Sequence, residues 1–109
     1  LVMTPSAHGE GKLMSNIPDF VERLEENDQV VFRYVTPEGG KAYYPWNPNG
    51  SPSDIAGICN PAGNVMGMMP HPERVMTAYT AADWSRGHRS DDGDGKLIFT
   101  SVMKYLAKR

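Results

Sequence analysis

The stretch of sequence that decides the fold reads IAGICNPAGNVMGMMPHPER and covers residues 55–74. Two short apolar runs, at residues 55–59 and 65–69, have the composition of strands. Residues 60–64 separate them and contain proline, glycine and two asparagines, which is turn chemistry. A connection this short fits an antiparallel pair of strands. The stretch therefore predicts a β-hairpin that leads directly into a proline-rich segment.

The proline-rich segment, residues 70–74, carries the strongest chemical signal in the chain. A proline disfavours the α region for the residue before it, so we expect extended geometry at His71. In an extended segment, side chains two residues apart point to the same side, which places His71 beside Glu73. The carboxylate can then bind one ring nitrogen, while the other takes a proton from a nucleophile, as in a catalytic triad. The alternative is a proline-rich turn with a solvated histidine and glutamate.

Cys59 is the single cysteine and the first residue to consider as a nucleophile. A nucleophile elbow needs a small residue soon after the nucleophile and a helix that leads away from it, so that backbone N–H groups form an oxyanion hole. Here Pro61 follows two residues after Cys59, and the turn leads into another apolar run. The pattern therefore favours a buried hairpin cysteine without a catalytic role.

Metal-binding residue types show no ligand-like spacing. The three histidines, His8, His71 and His88, are scattered along the chain. The acidic run at residues 91–95 lacks the alternating oxygen ligands and the distal glutamate of a calcium-binding loop, so a solvated turn is favoured. We therefore predict no metal site.

Two further loops offer polar groups that could bind a polar ligand or a partner. The glycines of residues 8–11 would let the backbone approach a ligand closely, although a surface turn is the alternative. Residues 47–51 supply several amides and a hydroxyl, although Asn-Gly is also ordinary turn chemistry. The candidate binding residues in these loops are His8, Glu10, Asn47 and Asn49.

Length and charge exclude several classes of protein. A chain of 109 residues is one domain or part of one. A net charge of −2, with both signs interspersed, gives no electrostatic reason to bind nucleic acid or an anionic membrane. No apolar run approaches the roughly 18 residues of a membrane span. One cysteine cannot form an intrachain disulfide, which predicts a reducing, cytoplasmic compartment.

The remaining elements are predicted from periodicity and composition. We expect strands at residues 1–3, 29–35 and 41–44, helices at residues 18–27, 74–80 and 96–108, and a loop at residues 83–95. In the last helix the apolar residues expected to face inward are Leu97, Ile98, Val102, Tyr105 and Leu106.

Four groups of residues, taken in order, closely resemble a known family: residues 7–11, residues 29–34, residues 47–51 with 55–60, and residues 63–74. They are similar to the C-terminal half of the class I (triad) glutamine amidotransferases that serve as glutaminase subunits of phosphoribosylformylglycinamidine synthases. The resemblance covers essentially the whole chain. It implies an α/β, flavodoxin-like fold with a central, mostly parallel sheet flanked by helices. This chain would supply the later strands, a β-hairpin before the His-x-Glu loop and the closing helix.

The resemblance also implies a reaction. In the family a cysteine attacks the side-chain amide of glutamine, water hydrolyses the resulting thioester, and ammonia passes through a channel to a synthase subunit. The histidine and glutamate of the family's triad correspond to His71 and Glu73. The cysteine of the family lies in its N-terminal half, upstream of anything in this chain. We therefore expect residues 1–109 to be the C-terminal portion of a single amidotransferase domain, inactive without the N-terminal half that bears the nucleophile.

The implied partners are glutamine as substrate, the N-terminal half of the domain, the synthase subunit and its small accessory subunit. ATP and Mg²⁺ would be used by the synthase subunit in purine biosynthesis, and no cofactor is expected on this chain. The four loop residues named above become candidates for the glutamine site or for a subunit interface. Two alternatives remain: a non-catalytic interaction module that docks on the synthase subunit, and a metal-dependent hydrolase that uses His71 and Glu73.

Overall fold

The computed structural model describes residues 1–6, 11–77 and 92–108. The chain divides into two compact units: Ala7–Met69 forms one, and Leu1–Ser6 together with Pro70–Arg109 forms the other. Among the described residues, the first unit holds a three-stranded sheet and helix α1 (Phe20–Glu26). The second unit holds the His-x-Glu segment and helix α2 (Asp94–Ala107). Neither of these two helices has the length and apolar character needed to cross a bilayer.

The sheet consists of β1 (Val30–Arg33), β2 (Ile55–Cys59) and β3 (Met66–Met68), in that spatial order. Both pairs of neighbours are antiparallel. Strands β2 and β3 form the predicted hairpin, with Ile58 opposite Gly67 at its centre. The α/β class and the hairpin are thus confirmed, and they agree with a partial class I glutamine amidotransferase fold. The mostly parallel pairing of the family's central sheet does not occur among the described residues.

The hairpin turn is fixed by the side chain of Asn60. Its Oδ1 accepts hydrogen bonds from the backbone N–H groups of Asn64 and Val65, each at 3.0 Å. Gly63 supplies the left-handed backbone conformation, with φ at 72°. An asparagine at the start of a turn commonly satisfies backbone donors in this way, so the sequence of the loop sets the register of the two strands.

Helix α1 and strand β1 are confirmed, each a few residues shorter than predicted. The helix starts at Phe20, directly after Asp19, which adopts a left-handed conformation with φ at 59°. Leu24 is its buried residue. An exposed ion pair of 3.1 Å joins Glu25 of α1 to Arg33 of β1, a type of contact that contributes little to stability.

Two predicted strands are wrong. Residues 1–3 form no strand, because the backbone N–H of Met3 donates to the Asp94 carboxylate at 2.9 Å and not to a neighbouring strand. Residues 41–44 contribute only a single bridge, from Lys41 to Val35. The next backbone N–H, of Ala42, donates to Asp54 Oδ2 at 3.0 Å, so the ladder stops after one pair.

The predicted helix from Arg74 is also wrong over its described part. Residues Pro72–Val75 form a single 3-10 turn, and Thr77 then pairs with Asp92. The carbonyl of Met76 accepts the backbone N–H of Gly93 at 3.0 Å, which diverts the chain from helical pairing. Residues 78–80 lie outside the described residues.

Helix α2 is confirmed, but it begins two residues before the predicted start. The predicted loop at residues 83–95 therefore includes the first turn of this helix, and residues 83–91 lie outside the described part of the chain. Of the five side chains expected to face inward, Ile98 is buried. The prediction is wrong for the other four, because α2 packs on the Pro72–Val75 turn and its buried residues, Gly95 and Ile98, lie in the first half of the helix. The four exposed residues are Leu97, Val102, Tyr105 and Leu106.

Candidate functional site

His71 and Glu73 are in direct contact in the second unit. Nδ1 of His71 lies 2.7 Å from Oε1 of Glu73, within the range of a charge-assisted hydrogen bond. The His71 side chain is 30% exposed and the Glu73 side chain 56% exposed, so water and other molecules can reach both. The two-residue spacing had predicted this contact.

The backbone brings the two side chains together by a turn rather than by a continuous extended segment. His71 is extended, with φ at −105° and ψ at 87°, as expected for a residue before proline. Pro72 then starts the 3-10 turn, a position where its fixed φ and missing N–H cost nothing. The backbone N–H of Arg74 donates to the carbonyl of His71 at 3.1 Å and closes the turn around Glu73.

The contact determines which nitrogen of the His71 ring carries a proton when the ring is neutral. The pKa of Glu73 is lowered, chiefly by a hydrogen bond from its own backbone N–H and next by the hydrogen bond from His71. The carboxylate is therefore ionised at neutral pH and can only accept hydrogen bonds. It follows that Nδ1 of His71 is the donor, which leaves Nε2 unprotonated and able to accept a proton.

The backbone of His71 is also anchored on its N-terminal side. Its N–H donates to the carbonyl of Pro5 at 2.7 Å, so the segment Leu1–Ser6 of the same unit lies against the site. Sequence patterns do not predict this contact, since it joins residues far apart in the chain. The sequence indicates that the N–H of His71 needs an acceptor, but it does not indicate that Pro5 supplies one.

Asn47 has a clear structural role in the first unit. It is 8% exposed, its Oδ1 accepts the N–H of Ser51, and its Nδ2 donates to the Ser51 carbonyl and to Asp54 Oδ1. These three bonds, of 2.9 to 3.0 Å, hold the loop before β2 in shape. Asn49 in the same loop is half-buried. Their assignment to a glutamine site or an interface stays a prediction.

His8, Glu10 and His88 lie outside the described residues. Among the residues that are described, no three histidine, cysteine, aspartate or glutamate side chains are grouped as metal ligands would be. Two aspartates of the acidic run lie within the described residues. Asp92 pairs with Lys96 at 2.8 Å, and Asp94 accepts the N–H of Met3. Both carboxylates thus have structural partners.

Cys59 is the last residue of β2 and belongs to the first unit. Its backbone N–H donates to the carbonyl of Gln29 at 2.9 Å, and its carbonyl accepts Gln29 Nε2 at 2.8 Å. The side chain is half-buried rather than fully buried. A turn and a strand follow it, so the strand-to-helix geometry of a nucleophile elbow is not formed here.

Comparison with known proteins gives consistent results. The sequence pattern of the CobB/CobQ-like glutamine amidotransferase domain matches residues 1–106. A protein of Archaeoglobus fulgidus named phosphoribosylformylglycinamidine synthase subunit PurQ is 50% identical over 111 residues, which cover 99% of this chain and 39% of that protein. A PurQ of Methanothrix thermoacetophila is 46% identical over 112 residues, covering 100% of this chain and 42% of the relative. The chain thus spans about two fifths of the length of the curated relatives that it matches.

Proposed function

We propose, since the chain belongs to the CobB/CobQ-like glutamine amidotransferase domain family, that it supplies the general base and the orienting carboxylate of a glutaminase site. The observation that supports this most directly is the 2.7 Å contact between His71 Nδ1 and Glu73 Oε1, which leaves Nε2 as the accepting nitrogen. An imidazole oriented by a carboxylate is the arrangement that activates a nucleophile in a triad.

In the proposed reaction, Nε2 of His71 accepts the proton of a cysteine thiol, and the thiolate attacks the side-chain amide carbon of glutamine. The imidazolium then returns the proton to the nitrogen that leaves as ammonia, and a thioester remains. His71 next takes a proton from water, which attacks the thioester and releases glutamate and the free thiol. Glu73 keeps the ring in the correct tautomer and stabilises the imidazolium at each step.

The nucleophile must come from a segment other than this chain. Cys59 is the single cysteine, and it ends a strand in the hairpin. We therefore expect the isolated 109-residue chain to hydrolyse no glutamine, as measured by glutamate release. Turnover by the pure chain above the rate of the buffer would contradict this expectation.

The names of the relatives extend the proposal to a pathway. Both are called subunits of phosphoribosylformylglycinamidine synthase, so we infer that this chain belongs to the glutaminase component of such a synthase. Ammonia would pass to a synthase subunit, which uses ATP and Mg²⁺, in a cytoplasmic complex that also contains a small accessory subunit. The proposed activity of that complex, as a ligase that forms a C–N bond, rests on this inference.

A chimera tests the proposal. In it, this chain replaces the matching segment of the Archaeoglobus fulgidus relative, and the product is assayed for glutamine hydrolysis together with the other subunits of that synthase. We expect activity in the chimera, a loss in kcat of about 10²–10⁴-fold in His71→Ala, and a loss on the order of 10²-fold in Glu73→Gln. The matched control is Glu38→Gln, an exposed glutamate in another turn, which should leave kcat unchanged.

Two outcomes would contradict the proposal. A His71→Ala chimera that keeps more than half of the activity would remove His71 from the reaction. A chimera that assembles with the other subunits but hydrolyses no glutamine would favour the alternative, in which this chain is a non-catalytic module that docks on the synthase subunit.

A further inference from the structure

The backbone of Pro72, between His71 and Glu73, lies directly against the first turn of helix α2. Pro72 is buried, and the helix residue that faces it is Gly95, which is also buried. A Cβ on Gly95 would overlap the carbonyl oxygen of Pro72 and would lie 2.7 Å from its carbonyl carbon and 2.9 Å from its Cα. Only a residue without a side chain permits this approach, so Gly95 sets how far Pro72 lies from the helix.

A second glycine does the same at the far end of the turn. A Cβ on Gly93 would overlap the carbonyl oxygen of Val75 and would lie 2.6 Å from the carbonyl oxygen of Thr77. The N–H of Gly93 also donates to the carbonyl of Met76. The start of α2 therefore contacts the turn at both of its ends.

The residue between the two glycines, Asp94, is linked to the other side of His71 through the segment Leu1–Ser6. Oδ2 of Asp94 accepts the N–H of Met3 at 2.9 Å. Two residues later, the carbonyl of Pro5 accepts the N–H of His71 at 2.7 Å. The first turn of α2 thus holds the backbone on both sides of His71, through Gly95 at Pro72 and through Asp94 by way of the segment Leu1–Ser6.

We propose that Gly95 and Asp94 are positioning residues for the His71–Glu73 pair. They fix the backbone from which both side chains project, and so fix the direction of His71 Nε2. Neither residue touches the substrate or takes part in proton transfer. This inference rests on the proposed glutaminase function for its catalytic consequence, but its geometric content can be measured without turnover.

Gly95→Ala in the chimera is the first test. The added methyl group must displace Pro72, and a misplacement of about 1 Å can cost on the order of 10²-fold in rate. We expect kcat to fall by about 10- to 10²-fold while KM for glutamine changes little. Gly67→Ala is the matched control, because a Cβ there meets nothing within 4 Å, and it should leave both constants unchanged.

Asp94→Ala is the second test. It stays informative even if Gly95→Ala does not fold, because the Asp94 side chain is exposed and its removal should not prevent folding. We expect a smaller loss in kcat than in Gly95→Ala. Asp94→Asn keeps an acceptor oxygen for the N–H of Met3 and should recover most of the activity. A purely electrostatic role for the carboxylate would show no such recovery and would contradict the positioning role.

Nitrogen-15 NMR of the His71 ring provides the readout that is independent of turnover. At a pH at which the ring is neutral, the unmodified chimera should show Nδ1 protonated and Nε2 unprotonated, and both Gly95→Ala and Asp94→Ala should show a mixture of tautomers. If folded variants keep both the single tautomer and the kcat of the parent, the positioning proposal is wrong. If His71→Ala shows that His71 has no catalytic part, the glutaminase proposal fails, and the tautomer measurement still decides whether Gly95 and Asp94 hold the pair.

Discussion

The turn that begins at Pro72 brings His71 and Glu73 into contact, and its backbone lies against Gly95 and is bonded to Pro5. Both side chains are partly exposed, so solvent screens their attraction and the contact adds little to stability. Its value lies in orientation, since it leaves one defined nitrogen to accept protons. The contact was predictable from a spacing of two residues beside prolines. The turn that produces it was not, because an extended segment and a turn can both bring the same two side chains together.

The lowered pKa of Glu73 leads to a prediction for acidic solution. Because the folded-state pKa is below the ordinary value of about 4.3, the small stabilisation from the hydrogen bonds that this carboxylate accepts, from its own backbone N–H and from His71, is complete above that pH. It is lost only as the pH falls through the lowered pKa. Carbon-13 NMR of the Glu73 carboxyl group in the chimera should show this low titration midpoint.

His71→Ala provides the comparison for that titration. It removes the second cause of the shift and keeps the first, the bond from the backbone N–H of Glu73. The midpoint of Glu73 should therefore rise only part of the way to its ordinary value. A midpoint in the unmodified protein at or above the ordinary value would show that the carboxylate does not hold the ring as described.

Strand β2 is crowded at Gly57, where it passes between both neighbouring strands. A Cβ on Gly57 would lie 3.0 Å from the Cβ of Met68 and 3.2 Å from Cδ2 of Phe32. The pairing of β1 with β2 shifts register on either side of Phe32, so the ring occupies the space that a side chain at position 57 would need. The absence of a side chain at Gly57 thus allows β1 and β3 to pair with β2 at this position.

Gly57→Ala should lower the free energy of unfolding by about 1–3 kcal/mol, the usual cost of inserting a methyl group into a packed site. Thermal unfolding of the chimera, followed by circular dichroism, measures the change. Gly67→Ala in the neighbouring strand meets nothing within 4 Å and should stay within about 0.5 kcal/mol of the parent. Equal stability of the two variants would contradict the crowding at Gly57.

The elements that sequence reasoning predicted correctly are those whose cause is local. The hairpin follows from the turn chemistry around Asn60, and α1 and β1 follow from periodicity. The predicted strand at residues 41–44 does not form, because the N–H of Ala42 donates to Asp54, twelve residues away. Sequence alone places the glycines at 93 and 95 in a loop, because a glycine that permits close packing and one that permits flexibility look the same in sequence.

Helix α2 presents most of its apolar side chains to solvent. Leu97 is 59% exposed although it belongs to a pattern typical of an amphipathic helix, and Met103, outside that pattern, is 70% exposed. The pattern predicts that a helix has an apolar face, but it does not predict what covers that face. For this reason the prediction of which residues of α2 face inward is wrong for all of them except Ile98.

We expect the isolated chain to self-associate at micromolar concentration, because α2 exposes several large apolar side chains and exposed apolar surface promotes association. Met103→Lys should shift sedimentation-velocity profiles towards the monomer. Asn16→Lys adds the same charge at an exposed polar position in the other unit and should leave the profile as it was. A monomeric parent chain, or an equal response to both variants, would show that the exposed residues of α2 do not cause association.

The close approach of Gly93 and Gly95 to the Pro72–Val75 turn determines how mutations in these two codons affect the turn. Every replacement of glycine by another amino acid adds a Cβ, and at both positions that atom would collide with backbone rather than with a movable side chain. A missense change in either codon therefore damages the turn that carries His71 and Glu73, whichever residue it introduces. For random mutation, the pair of His71 and Glu73 is therefore a target of at least four codons, two of them twenty or more positions downstream in the chain.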